Sequence, residues 1–70
     1  MVSININAYY FDIEAKDGLF YLFRVTKFAS GDVSHQILGH ANIKQLKEKI
    51  IKVAHSNNIE VSEKLREVGL

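Results

Sequence analysis

Cysteine and proline are both missing from this chain of 70 residues. Without cysteine, neither a disulfide nor a thiolate-held metal can brace the fold. Nothing calls for an oxidising compartment, so the cytoplasm is the expected location. Without proline, a repeat or a biased segment, no linker divides the sequence, and residues 1–70 are read as a single domain. No apolar run reaches the roughly 20 residues that cross a bilayer, and Met1-Val2-Ser3-Ile4-Asn5 lacks the basic opening of a signal peptide, so no membrane association is expected. A large excess of one charge is missing too. The net charge is +1, with −1 up to Ala41 and +2 from Asn42 onward, and most nucleic-acid binders are more basic than this.

What is present suits a small folded protein: 47% hydrophobic residues, seven aromatics and charges of mixed sign. A core of this size yields only about 3–5 kcal/mol of net stability, and small domains usually add a disulfide, a metal or a second subunit. With disulfides excluded and metal ligands sparse, self-association is the remaining option, and a homodimer is expected.

The first half alternates as strands do. Val2, Ile4, Ile6 and Ala8 give way to Tyr9, Phe11, Ile13 and Ala15, a slip of one residue that predicts a bulge or break near Ala8-Tyr9. Lys16-Asp17-Gly18 is a turn signal. A three-residue loop pairs Ala15 with Leu19, Ile13 with Tyr21 and Phe11 with Phe23, making one face uniformly apolar. A two-residue Asp17-Gly18 turn instead sets Ile13 opposite Leu22 and Phe11 opposite Arg24. The uniform face favours the longer loop. Around Ser30-Gly31-Asp32, the same reasoning pairs Lys27 with His35 and Val25 with Ile37. The expected sheet is a three-stranded antiparallel meander over residues 9–15, 19–28 and 33–38.

From Asn42 the apolar period becomes helical, with Ile43, Leu46, Ile50, Val53 and Ala54 predicting a helix over 43–56. Asn42 is its expected N-cap, in a capping box with Gln45, with Ala41 and Leu46 as a hydrophobic staple, and Asn57-Asn58 its exit. Ser62 is read as the N-cap of a short C-terminal helix with Gly69 past its end. The fold class is therefore α+β: a two-layer β-β-β meander packed on one amphipathic helix, plus the short C-terminal helix.

In the longer-loop register the sheet face away from the helix carries Tyr10, Phe20, Leu22, Phe28 and Leu38, the expected interface. Coverage by residues 2–8 or by the C-terminal helix is the alternative. Arg24, diagonal to Asp12 there, is read as a surface ion-pair partner. Lys44, Lys47, Lys49 and Lys52 form a basic stripe opposed only by Glu48; with Arg24 and Gln36 they are the candidate contacts to DNA or RNA, against a merely solvated helix face.

His35, His40 and His55 lack metal-ligand spacing, and His40 is read as a turn residue. No metal site is expected. Asp12 and Glu14 have nothing to hold their pKa values apart, the glycines stand singly, and no serine has a histidine-carboxylate partnership visible in sequence. No catalytic group or cofactor is expected. The reading is a non-enzymatic interaction module, an adaptor or inhibitor acting on another protein.

Overall fold

A computed structural model describes the backbone of residues 1–70 and every side chain except that of Ala41. The expected Ala41–Leu46 staple lies outside the described side chains. The elements run β1 (Val2–Ile6), β2 (Tyr9–Lys16), β3 (Leu19–Lys27), β4 (Val33–Ala41), α1 (Ile43–Ala54) and α2 (Asn58–Glu67). The fold is α+β, as the sequence predicts, but the antiparallel sheet has four strands in the order β1-β2-β3-β4 rather than three. No helix is long and apolar enough to cross a membrane.

The fourth strand arises because the slip at Ala8-Tyr9 is a hairpin and not a bulge. Asn7 and Ala8 both have positive φ, at 50° and 66°, as a type I′ turn requires. This two-residue turn sets Ile6 opposite Tyr9 and Ile4 opposite Phe11, so even positions of β1 and odd positions of β2 share one face. Residues 2–6 thus pair within the chain, with Asn7-Ala8 as the turn.

Asp17 and Gly18, with φ of 53° and 75°, make a second two-residue turn. It pairs Ala15 with Phe20, Ile13 with Leu22 and Phe11 with Arg24, which overturns the longer-loop register. The criterion of one uniformly apolar face misled because β3 is apolar on both faces. Arg24 is accommodated on the inner face by laying its guanidinium 4.9 Å from the centre of the Tyr9 ring.

The β3–β4 register is corrected as well. Val25 faces His35 and Phe23 faces Ile37 across a loop closed by a hydrogen bond from Phe28 N to Asp32 O at 2.9 Å. A bulge then intervenes, and the strand continues with Gly39 opposite Leu22 and His40 opposite Tyr21, so His40 belongs to β4 and not to a turn. Gly39, with φ of 119°, makes the bend, and a Cβ there would stand against the Lys49 ammonium, which donates to the Leu38 carbonyl.

Asn42 caps α1 as predicted, its side chain accepting the Gln45 N–H at 2.9 Å. The helix ends earlier than expected, at a left-handed His55. Asn57 and Asn58 do not serve as an exit: Asn57 is the N-cap of α2, accepting from Glu60 N at 2.9 Å, and Ser62 lies inside that helix. Gly69 does lie past its end. Its N–H meets the Arg66 carbonyl while the Leu70 N–H meets that of Leu65, the two bonds of a Schellman motif.

Both helices pack on the same sheet face. Ile4, Ile6, Phe11, Ile13 and Leu22 form one core with Leu46, Ile50 and Ala54 of α1 and with Val61 and Leu65 of α2. The α2 helix is therefore a full contributor to the core, fastened near β1, while α1 spans β3 and the end of β4. The Asn7 side chain ties the first turn to this layer, donating to the Ala54 carbonyl at 3.0 Å.

Burial distinguishes the two registers experimentally. Leu22 is 1% exposed and Ile37 59% exposed. Leu22→Ala is expected to cost about 2–5 kcal/mol of unfolding free energy, from lost transfer energy and the cavity left behind. Ile37→Ala is expected to cost no more than about 1 kcal/mol, the scale of a cross-strand contact on an open face. Denaturant titration of the two variants measures both, and the reverse ranking would restore the longer-loop register.

Candidate interaction surface

With both helices on one face, the other face of the sheet is left uncovered. Strand alternation and the observed register place Tyr10 and Asp12 of β2, Tyr21, Phe23 and Val25 of β3, and His35 and Ile37 of β4 on it. Tyr10 and Ile37 are exposed, whereas Val25 is buried although, among the described residues, both helices pack on the opposite face. Its cover is the ring of neighbours that lines a shallow hollow with it, Tyr10, Lys27 and His35 among them.

Polar groups on this face are organised around Asp12. Ser3 Oγ donates to Asp12 Oδ1 at 2.5 Å, and His35 Nε2 lies 2.8 Å from Asp12 Oδ2, reaching across β3. The carboxylate stands between hydroxyl and imidazole. A nucleophilic serine needs the imidazole against its hydroxyl to take the proton, so this order anchors Ser3 and does not activate it. Burial works against ionisation of Asp12 but is outweighed by the Ser3 hydroxyl, by the hydrogen bond and charge of His35, and by the Lys27 ammonium. The carboxyl is held below its ordinary value of 3.8.

Aromatic contacts fill the rest. Phe23 meets His35 edge-on with ring centres 6.4 Å apart, Tyr21 lies against His40 at 5.5 Å, and the Lys27 ammonium sits 4.3 Å from the centre of the Tyr10 ring.

The residues predicted from sequence are divided by the shorter turn. Tyr10 is on the uncovered face, and Phe28 is exposed in the β3–β4 loop. Leu22 is in the core, with Phe20 and Leu38 packed against it, so these three do not line the outer face. The face instead presents Tyr21, Phe23 and Ile37. The signal for them was available, since Leu19, Tyr21, Phe23 and Val25 alternate as regularly as Phe20 and Leu22 do.

The expected Arg24–Asp12 pair is not formed. The two lie on opposite faces, and Asp12 takes His35 as its partner. Lys44 and Lys52 are exposed on α1 and Lys47 is half-buried, while Lys49 is turned back onto β4. Gln36 faces Arg24 across the ladder, on the helix side of the sheet. Among the described residues, no three His, Asp or Glu side chains are grouped closely enough to hold a metal ion.

No protein-family model matches this chain, and no curated protein or solved structure matches it significantly.

The Asp12 network carries a pH signature. A carboxyl whose pKa is lowered on folding contributes stability that is present above about 3.8 and is lost as pH falls through the lower folded value. Asp12→Asn is expected to lower stability at neutral pH by less than about 1 kcal/mol, the scale of a partly exposed pair. Variant and wild type should converge as pH falls below 3.8 and through the lower folded value, where both come to carry a neutral side chain at position 12. Thermal unfolding across the acid range measures this, and an offset that does not shrink as pH falls would contradict the assignment.

Proposed function

We propose that this chain is a non-enzymatic protein-binding module, an adaptor or inhibitor that holds its partner on the uncovered sheet face. The supporting observation is that face itself: Tyr10, Tyr21, Phe23 and Ile37 around a Val25 shielded only by its neighbours. Aromatic and aliphatic side chains on a rigid sheet supply apolar contact at low cost in side-chain ordering, and Tyr is among the residues that most often dominate binding energy. The Ser3–Asp12–His35 network adds polar groups already oriented by their own hydrogen bonds.

The competing reading, a DNA- or RNA-binding module, draws on Arg24, Lys44, Lys47 and Lys52. Dispersal of the cations favours the protein reading. Arg24 lies over Tyr9 on the helix side, Lys27 lies over Tyr10 on the other, and Lys49 is bonded to the Leu38 carbonyl. Phosphate backbones are held by cations aligned along one surface; Arg24, Lys27 and Lys49 are withdrawn from any such track, which leaves it to Lys44, Lys47 and Lys52 of α1.

Affinity capture from the native cell extract, with and without nuclease, tests the choice. Tyr10→Ala is expected to weaken capture of the partner at least about fivefold, the effect of truncating a central interface tyrosine. Lys44→Glu/Lys47→Glu/Lys52→Glu should leave it unchanged. Capture indifferent to Tyr10→Ala would reject the sheet face, and capture abolished by nuclease or by the lysine variant would establish the nucleic-acid reading instead.

A further inference from the structure

At the far edge of the sheet, β4 pairs with β3 on one side, and among the described residues no strand pairs with its other side. An open edge offers a row of backbone donors and acceptors to any strand that can lie beside it, and proteins that must stay monomeric protect such edges with charge, proline, brevity or a covering element. The segment Val33-Ser34-His35-Gln36-Ile37 has none of these. It contains no Lys, Arg, Asp or Glu, the chain has no proline, and all five residues are exposed on both faces of the sheet. Its pairing with β3 is regular from Lys27↔Val33 to Phe23↔Ile37, and the bulge begins only after that. The opposite edge differs: β1 buries Ile4 and Ile6 in the core shared with Val61 and Leu65 of α2.

The order of residues in this segment identifies the strand it fits. Placed antiparallel to a second copy with the twofold axis at His35, Val33 falls opposite Ile37 of the other copy, and Ser34 falls opposite Gln36. The apolar pairs lie on the uncovered face and the polar pairs on the helix side, each matched in kind. Moving the axis to Gln36 sets Ile37 against His35, and moving it to Ser34 sets Val33 against His35, so either shift breaks the match. The two His35 rings at the axis do not collide, because each is drawn back over its own sheet to Asp12 at 2.8 Å and to the edge of Phe23. With no fixed charge on either strand, nothing repels their approach.

We propose that the chain forms a symmetric dimer by antiparallel β4–β4 pairing centred on His35, joining the two sheets into one. The inference deepens the interaction-module reading: the dimer would present two copies of the binding face side by side.

Ser34 and Gln36 lie on the helix side, away from that face, which makes them suitable probes. Sedimentation is compared for wild type, Ser34→Lys/Gln36→Lys, Ser34→Glu/Gln36→Glu and an equimolar mixture of the two variants. Wild type is expected to be dimeric at micromolar concentration. Each double variant sets two like-charged pairs across the axis and is expected to dissociate at least about tenfold more readily. The mixture is expected to regain the dimer as a heterodimer, a result that misfolded variants cannot give. A monomeric wild type, a variant as dimeric as wild type, or a mixture that stays monomeric would each overturn the proposal. Tyr10→Ala, two strands from the edge, is expected to remain dimeric, and its dissociation would place the contact on the sheet face and overturn the edge. Partner capture by Tyr10→Ala reads the face separately, so failure of the edge and failure of the face are distinct results.

Discussion

When two antiparallel strands are joined by a two-residue turn, opposed residues have numbers that add to an odd value. An odd position on one strand therefore shares its face with an even position on the next. The chain uses this constraint twice in succession, at Asn7-Ala8 and at Asp17-Gly18, and all four residues accept positive φ to do so. Even positions of β1, odd positions of β2 and even positions of β3 are thereby brought to one side. The result is a single apolar layer of Ile4, Ile6, Phe11, Ile13 and Leu22, which both helices cover. The same parity sends Tyr21, Phe23 and Val25 outward, so the core and the candidate binding face follow from the same two turns.

The helical layer then completes what the sheet leaves open. Leu46, Ile50 and Ala54 recur along one side of α1, and Val61 and Leu65 along one side of α2. The connection between the helices is short because His55 adopts the left-handed conformation and Asn57 immediately caps the next helix. Two helices suffice for one sheet face. They leave the other uncovered, and they leave Val33–Ile37 at the margin without cover on either side.

How much of this was legible in the sequence depended on whether a signal was local. The Asn42 cap, the periodicity of α1, the strand character of residues 9–28 and the role of Gly69 were all readable, because each rests on residues within one turn or one strand. The register was not, since it depends on a choice between two turns that Asp17-Gly18 permits equally well. The tie was broken by requiring one face to be wholly apolar, and Arg24 defeated that rule by lying over Tyr9 at the end of the sheet. The N-terminal strand was missed for a related reason, since a one-residue slip in alternation reads the same for a bulge and for a two-residue hairpin. Tyr10 falls on the uncovered face under either turn, because it lies on β2, whose facing is the same in both. Phe20 and Leu22 change face with the turn, because they lie beyond it.

The amide of Asn7 reaches the last carbonyl of α1 across a sequence separation of 47 residues. All three hairpins of the sheet, β1–β2 included, close short loops, whereas this contact and the burial of Ile4 and Ile6 require the second half of the chain. Bringing such distant segments together carries the larger loop-closure entropy. The first hairpin is therefore local in its strand pairing and long-range in its cover, so a single turn fastens the two halves of the chain together.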